Sequence, residues 1–231
     1  MSAKAQKLAS RYNLKTDIIE IAEEILEEQR RYHVNAFAHP QCPVIGSGNQ
    51  LKFENWGLIP FWTKTIEDAK RIENMTLNAR SETLFEKPSF RTPIKKNRIL
   101  IPSTGYFEYH HEDKETIPYF IYLKNEEIFS IGGISDTWIN KETGEEIETF
   151  SLITTPANKF TGWIHNGGKN PQRMPFIIPQ SFEEKWVNPE TTKEELQAIM
   201  QTYPAENMNA YVIKKDFIKK NPHDSTIIDA A

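Results

Sequence analysis

Cysteine is almost missing from this chain. One residue of 231, Cys42, carries a thiol, so no intrachain disulfide can form and a cysteine-built zinc site is excluded. A reducing cytoplasm is the natural compartment. Long apolar runs are missing too. No stretch approaches the roughly 18 residues that a membrane helix needs, and the chain opens on a basic-polar segment without the apolar core of a signal peptide. No membrane partner is expected. Positive charge is not in excess either: 28 Lys and Arg stand against 32 Asp and Glu, for a net charge of −4. That balance argues against a generic nucleic-acid binder held by bulk charge. Contact with DNA would have to rest on a local basic patch. Repeats, low-complexity tracts and clear linkers are absent, and no obligate protein partner or cofactor is implied.

What is present is a soluble, loop-rich globular composition, 38% hydrophobic and 26% charged with 14 prolines. Residues 3–12 read as a short helix. Residues 17–32 read as another, with Ile18, Ile21, Ala22, Ile25 and Leu26 on one face, a cap at Thr16 or Asp17, and Arg30 and Arg31 at the end that suits cations. Residues 33–49 break into short extended pieces, 52–62 read as strand and turn, and 66–72 as a short helix. Strands are expected over 99–101, 106–109, 119–123, 128–134, 149–154 and 176–178. Thr192-Lys-Glu-Glu195 has the form of a capping box, so 193–201 should be helical. The expected class is α+β: a single domain over 1–231 with a mixed, mainly antiparallel sheet and flanking helices. Its motif-bearing core is about 35–180, with N-terminal helices over 1–32 and a C-terminal helical segment over 181–231.

Four segments have more character than a core requires. WGLIPFW (56–62) flanks a turn with two tryptophans. Trp56 suits a core anchor, and an aromatic beside a proline, as at Trp62, can be an apolar wedge or a platform on which a base stacks. NARSET (78–83) has too little apolar content for a strand core; it is either a solvated turn or an amide in a pocket with an arginine aimed at phosphate. RILIPSTGYFEYH (98–110) sets Glu108 among aromatics. Strict alternation puts Tyr106 and Glu108 on one face and Phe107 and Tyr109 on the other. Glu108 either faces solvent or lines a pocket where apolar neighbours raise its pKa. IHNGGKNPQRMP (164–175) places His165 before a Gly-rich loop and Arg173 before a core strand; His165 is either structural or a general acid or base. His110-His111-Glu112-Asp113 mimics a metal cluster, but adjacent residues on an extended chain point to opposite faces. It reads as a solvated hairpin tip, and no metal site is expected. GSGN (46–49) lacks the strand–helix setting of a nucleotide loop.

Taken in order, WGLIPFW, NARSET, R-x-L-I-P-x-x-G-Y-F-E-Y and I-H-…-R-M-P resemble the SRAP family (SOS response-associated peptidases, the abasic-site processing proteins). A looser echo lies in NAFAHPQCPVI (35–45). The resemblance implies a barrel-like fold in a cytoplasmic protein whose partner is single-stranded DNA containing abasic sites. It implies a covalent DNA–protein crosslink through the N-terminal residue, with self-removal of the initiator methionine and a peptidase- or lyase-like label. It implies that Asn78 is the pocket amide, Arg80 the phosphate-binding arginine, Glu108 the proton-handling carboxylate and His165 its imidazole partner. A family threonine falls on Thr154, and the base-unstacking wedge on the loop region following Trp62. Lys95, Lys96, Arg98 and Arg173 could extend a basic patch around Arg80.

In the crosslinking chemistry the resemblance implies, an amine attacks the ring-opened abasic aldehyde to give an imine, and an adjacent thiol closes a thiazolidine. The family's nucleophile is a cysteine directly after the initiator methionine. Here Ser2 stands at that position. Ser2 is an engineered replacement, a natural change marking a binding-only descendant, or the sign of a start downstream of the true Met-Cys; the helical pattern beginning at once favours the last. The competing expectations are a crosslinking enzyme and a non-covalent single-strand DNA binder without that nucleophile. Nothing resembles a protease triad.

Overall fold

Short apolar segments separated by turn residues form eleven strands in the described residues, which are 3–14 and 31–231 of the computed structural model. In chain order the elements are α1 (Ala3–Tyr12), β1 (Gln41–Gly46), β2 (Gln50–Trp56), α2 (Ile66–Glu73), β3 (Asn78–Arg80), α3 (Pro93–Lys96), β4 (Arg98–Ser103), β5 (Tyr106–Glu112), β6 (Glu115–Leu123), β7 (Phe129–Ile139) and β8 (Glu146–Pro156). There follow α4 (Lys159–Ile164), β9 (Arg173–Pro175), β10 (Ile177–Ile178), α5 (Gln180–Val187), α6 (Lys193–Ile199) and β11 (Met208–Val212). Most of the helix expected over 17–32 lies outside the described residues; its last two, Arg31 and Tyr32, are irregular.

The main sheet has eight strands, and it closes. β7, β4, β1, β2 and β8 pair in sequence, and β8 returns to β7. β10 is added to β7, and β3 and β9 to β8. Most pairs are antiparallel, but β2 and β3 run parallel to β8. A second, three-stranded antiparallel sheet runs β11-β6-β5. The result is the expected α+β class: a mixed barrel-like sheet flanked by helices. Among the described residues no helix is long and apolar enough to cross a membrane.

Two clusters form most of the core. One joins Ala79, Ile153 and Phe176 to Leu8 of α1 and Trp186 of α5. The other joins Val44, Ile99 and Phe150 of the barrel to Ile121 of β6 and Ile164 of α4. At roughly 25 cal/mol per Å², each fully buried aliphatic side chain contributes about 1.5–3 kcal/mol.

Two expectations change here. The segment 181–231 is not wholly helical, because residues 208–212 pair with β6 as β11. Arg98 joins no exposed basic patch. It is 2% exposed and donates to Trp186 O at 2.6 Å, Ile94 O at 2.7 Å, Lys95 O at 2.6 Å and Asn188 O. Its fork satisfies carbonyls at the ends of α3 and α5, which the helices themselves leave unpaired.

Candidate nucleic-acid interface

Alternation along β5 sorts its side chains as the pleat requires. Phe107 and Tyr109 turn towards Phe217, with Phe107 stacked on it at 4.9 Å between ring centroids. Tyr106 packs against the other cluster, and Glu108 shares its face. The turn into β5 is tight. Ser103 Oγ donates to Gly105 O at 2.7 Å, and a Cβ at Gly105 would lie 2.3 Å from Phe120 Cζ, so only glycine fits there.

His165 reaches Glu108 from elsewhere in the chain. Asn158 caps α4, its side chain accepting from Thr161 N. His165 ends that helix, its N–H donating to Thr161 O at 2.8 Å. Its Nδ1 lies 2.9 Å from Arg173 O and 3.4 Å from Glu108 Oε1. A carbonyl only accepts, so Nδ1 carries the proton and donates it to Arg173 O, with the Glu108 carboxylate alongside at ion-pair distance. Burial pushes Glu108 up to about 7, against the opposing pull of His165 and a backbone hydrogen bond from Tyr109. Glu108 therefore gains or loses its proton near neutral pH.

β5 and α4 are fastened together by residues that sequence reasoning passed over. His110 stacks on Trp163 at 4.3 Å, and its Nδ1 bonds Trp163 O at 2.8 Å. Asn166 accepts from His111 N at 2.8 Å and donates to His111 O at 2.9 Å, copying a strand partner. His110 is buried, not part of a solvated hairpin tip. The tip proper is at Asp113, whose φ of 51° is left-handed. The cue was available in the alternation that places His110 on the face of Glu108.

The barrel supplies the facing wall. Asn78 pairs with Leu152 and Arg80 with Thr154 across the parallel β3–β8 ladder, so these four share one face, while Ala79 and Ile153 turn into the core. NARSET is thus half a strand, its single apolar residue being the one the core needs. Asn78 and Arg80 are exposed. Arg80 Nη2 donates to Asn170 Oδ1 at 2.7 Å, a neutral amide. Arg173 is held differently. Both its terminal nitrogens bond the Glu82 carboxylate, and Nη2 also donates to Thr154 O at 2.7 Å and Thr154 Oγ1 at 3.2 Å. That guanidinium holds Glu82 down at about 2. The charge of Arg173 is spent inside the protein; that of Arg80 is not.

Asn78, Arg80, Glu108, Thr154, His165 and Arg173 all line one cleft of about 2200 Å³. Trp62 stands apart. It is 44% exposed beside Phe61 and is not among the residues lining the cleft. Trp56 lines it instead, donating through Nε1 to Leu77 O at 2.8 Å and stacking on Phe150 at 5.7 Å. Ser2 lies outside the described residues.

The expectation of a covalent crosslink, with the autopeptidase or lyase activity that goes with it, does not stand. The single cysteine is Cys42. It sits inside β1, its amine is a peptide bond, and burial pushes its thiol up to about 11. The one thiol of the sequence is therefore internal and buried, not placed to close a ring on an imine formed at an N-terminal amine.

A family model described as SOS response associated peptidase (SRAP) matches residues 1–220. The chain is 34% identical over 217 residues to the abasic site processing protein YoqW of Bacillus subtilis, covering 89% of this chain and 92% of that one. It is 34% identical over 187 residues to the abasic site processing protein YoaM of the same organism, covering 80% and 78%. A crystal structure of a Bacteroides thetaiotaomicron protein matches with a TM-score of 0.93 at 52% identity, over 100% of this chain and 97% of that one.

Proposed function

The chain belongs to the SRAP family, and on that premise we propose that it binds single-stranded DNA without a covalent bond, at positions where a base is missing. One observation carries this reading. A single cleft joins a carboxylate–imidazole pair to an arginine that, among the described residues, bonds a neutral amide rather than a carboxylate. An abasic sugar presents hydroxyl and ring oxygens where a base would be. Glu108, raised to about 7, can donate to or accept from such oxygens near neutral pH, with the His165 imidazole beside it. The Asn78 amide offers both a donor and an acceptor without acting as a base. Arg80 supplies a charge-assisted contact to phosphate. Thr154 fixes the wall behind Arg80 through Arg173, and exposed Trp62 offers a stacking surface for a base further along the strand.

The test is a fluorescence anisotropy titration of the full chain with single-stranded oligonucleotides, intact or carrying one abasic site, followed by denaturing gels. The expected result is tighter binding of the abasic strand, with all label released on denaturation. Equal binding of the two strands would overturn the abasic preference, and no binding of either would overturn the whole reading.

A further inference from the structure

Three cations in or beside the cleft are neutralised by carboxylates of the protein itself. Lys7 bonds Glu127, Arg11 bonds Glu183, and Arg173 bonds Glu82. Arg31 is different. It lines the same cleft, it is half-buried, and its charge reaches the Cys42 thiol on β1. Among the described residues no carboxylate or carbonyl is bonded to its guanidinium. The backbone there is not loose, since the next residue, Tyr32, donates its N–H to Pro222 O at 2.7 Å. In a chain with more acids than bases, a half-buried arginine that no described carboxylate pairs with is a charge open to a ligand.

We propose that Arg31 is a second phosphate-binding residue of the cleft. The proposal rests on the single-strand DNA reading above and extends it. Arg31 stands beside β1 and Arg80 on β3, and the sheet order between them is β1-β2-β8-β3. At about 4.8 Å per strand, the across-sheet span from β1 to β3 is roughly 14 Å, less where the sheet curves. A single-stranded backbone covers that span in a few nucleotides. The Glu108–His165 pair lines the same cleft, and both phosphate contacts are indifferent to base identity. Guanidinium suits the role because its fork meets phosphate bidentately and stays charged.

The experiment measures binding of intact and abasic single strands from low to moderate salt for the wild type, Arg31→Ala, Arg31→Lys, Arg80→Ala and the double alanine variant, with thermal melts alongside. Each single alanine change should weaken binding several-fold at low salt on both strands. Each should flatten the slope of log K against log salt by about 0.7, and the double variant by about 1.4. Arg31→Lys should keep the slope. An unchanged slope in Arg31→Ala, while Arg80→Ala flattens it, would overturn the proposal. So would a lysine variant that behaves like the alanine one, since packing rather than charge would then be at work. If the wild type itself binds no strand, the parent reading has failed, a result distinct from a failure confined to Arg31.

Discussion

Glu108 stands on the second sheet and His165 at the end of a helix attached to the barrel, yet Oε1 and Nδ1 meet at 3.4 Å. Folding brings the pair together, and its proton equilibrium feeds back on folding. Burial raises Glu108 from 4.5 to about 7. Between those values the folded chain holds a proton that the unfolded chain has released. The contribution to stability is therefore fully present below about 4.5 and is lost as pH rises through about 7. Glu108→Gln should abolish that loss. At pH 8 it should be more stable than the wild type by on the order of 1–3 kcal/mol, and at pH 4.5 nearly equal. Urea midpoints across the range decide it; parallel profiles would exclude a raised Glu108.

Glu82 and Arg173 make the opposite case. With the carboxylate held at about 2, the ion pair persists down to strong acid and cancels one positive charge at the cleft wall. Glu82→Gln should free that charge. Single-stranded DNA should then bind more tightly at low salt, with the salt slope steeper by about 0.7. A slope equal to the wild type would mean that Arg173 stays turned inward without its partner.

Arg98 carries a prediction about stability alone. Truncation to alanine strands the carbonyls of Ile94, Lys95, Trp186 and Asn188, a loss of about 3–5 kcal/mol. Lysine should rescue little, since one ammonium cannot copy the fork. The properly folded fraction of either variant should bind DNA as the wild type does, because the side chain is nowhere at the surface.

Cys42 offers a simple chemical check. Its thiol is buried and pushed up to about 11, so iodoacetamide should label the native chain far more slowly than the urea-unfolded chain at pH 8. Fast native labelling would mean that β1 opens on the experimental timescale.

How much of this was legible in advance depends on whether a residue's role is local. The first helix spans residues 3–12, as the sequence pattern implied. The capping box at Thr192 forms with both of its bonds, again from local chemistry. The alternation of β5 followed from period-two geometry. What escaped detection was made by distant partners. β11 has no pattern of its own and becomes a strand because β6 offers an open edge. β3 is a strand because β8 runs beside it. Arg98 looked like a surface cation until two helix ends were laid against it. Asn170 and Glu82, which set the two cleft arginines apart, carry no cue beyond being polar.

β8 is bonded along both edges, to β7 and then β9 on one side and to β2 and then β3 on the other. A strand gripped in this way cannot peel aside, so the wall bearing Thr154 and its neighbour Arg80 is a fixed anvil. Whatever flexing admits a nucleic acid must come from the other jaw, where the three-stranded sheet rests on α4 through His110 and Asn166. In hydrogen exchange, β8 amides should be among the last to yield, and those of β5 should open first.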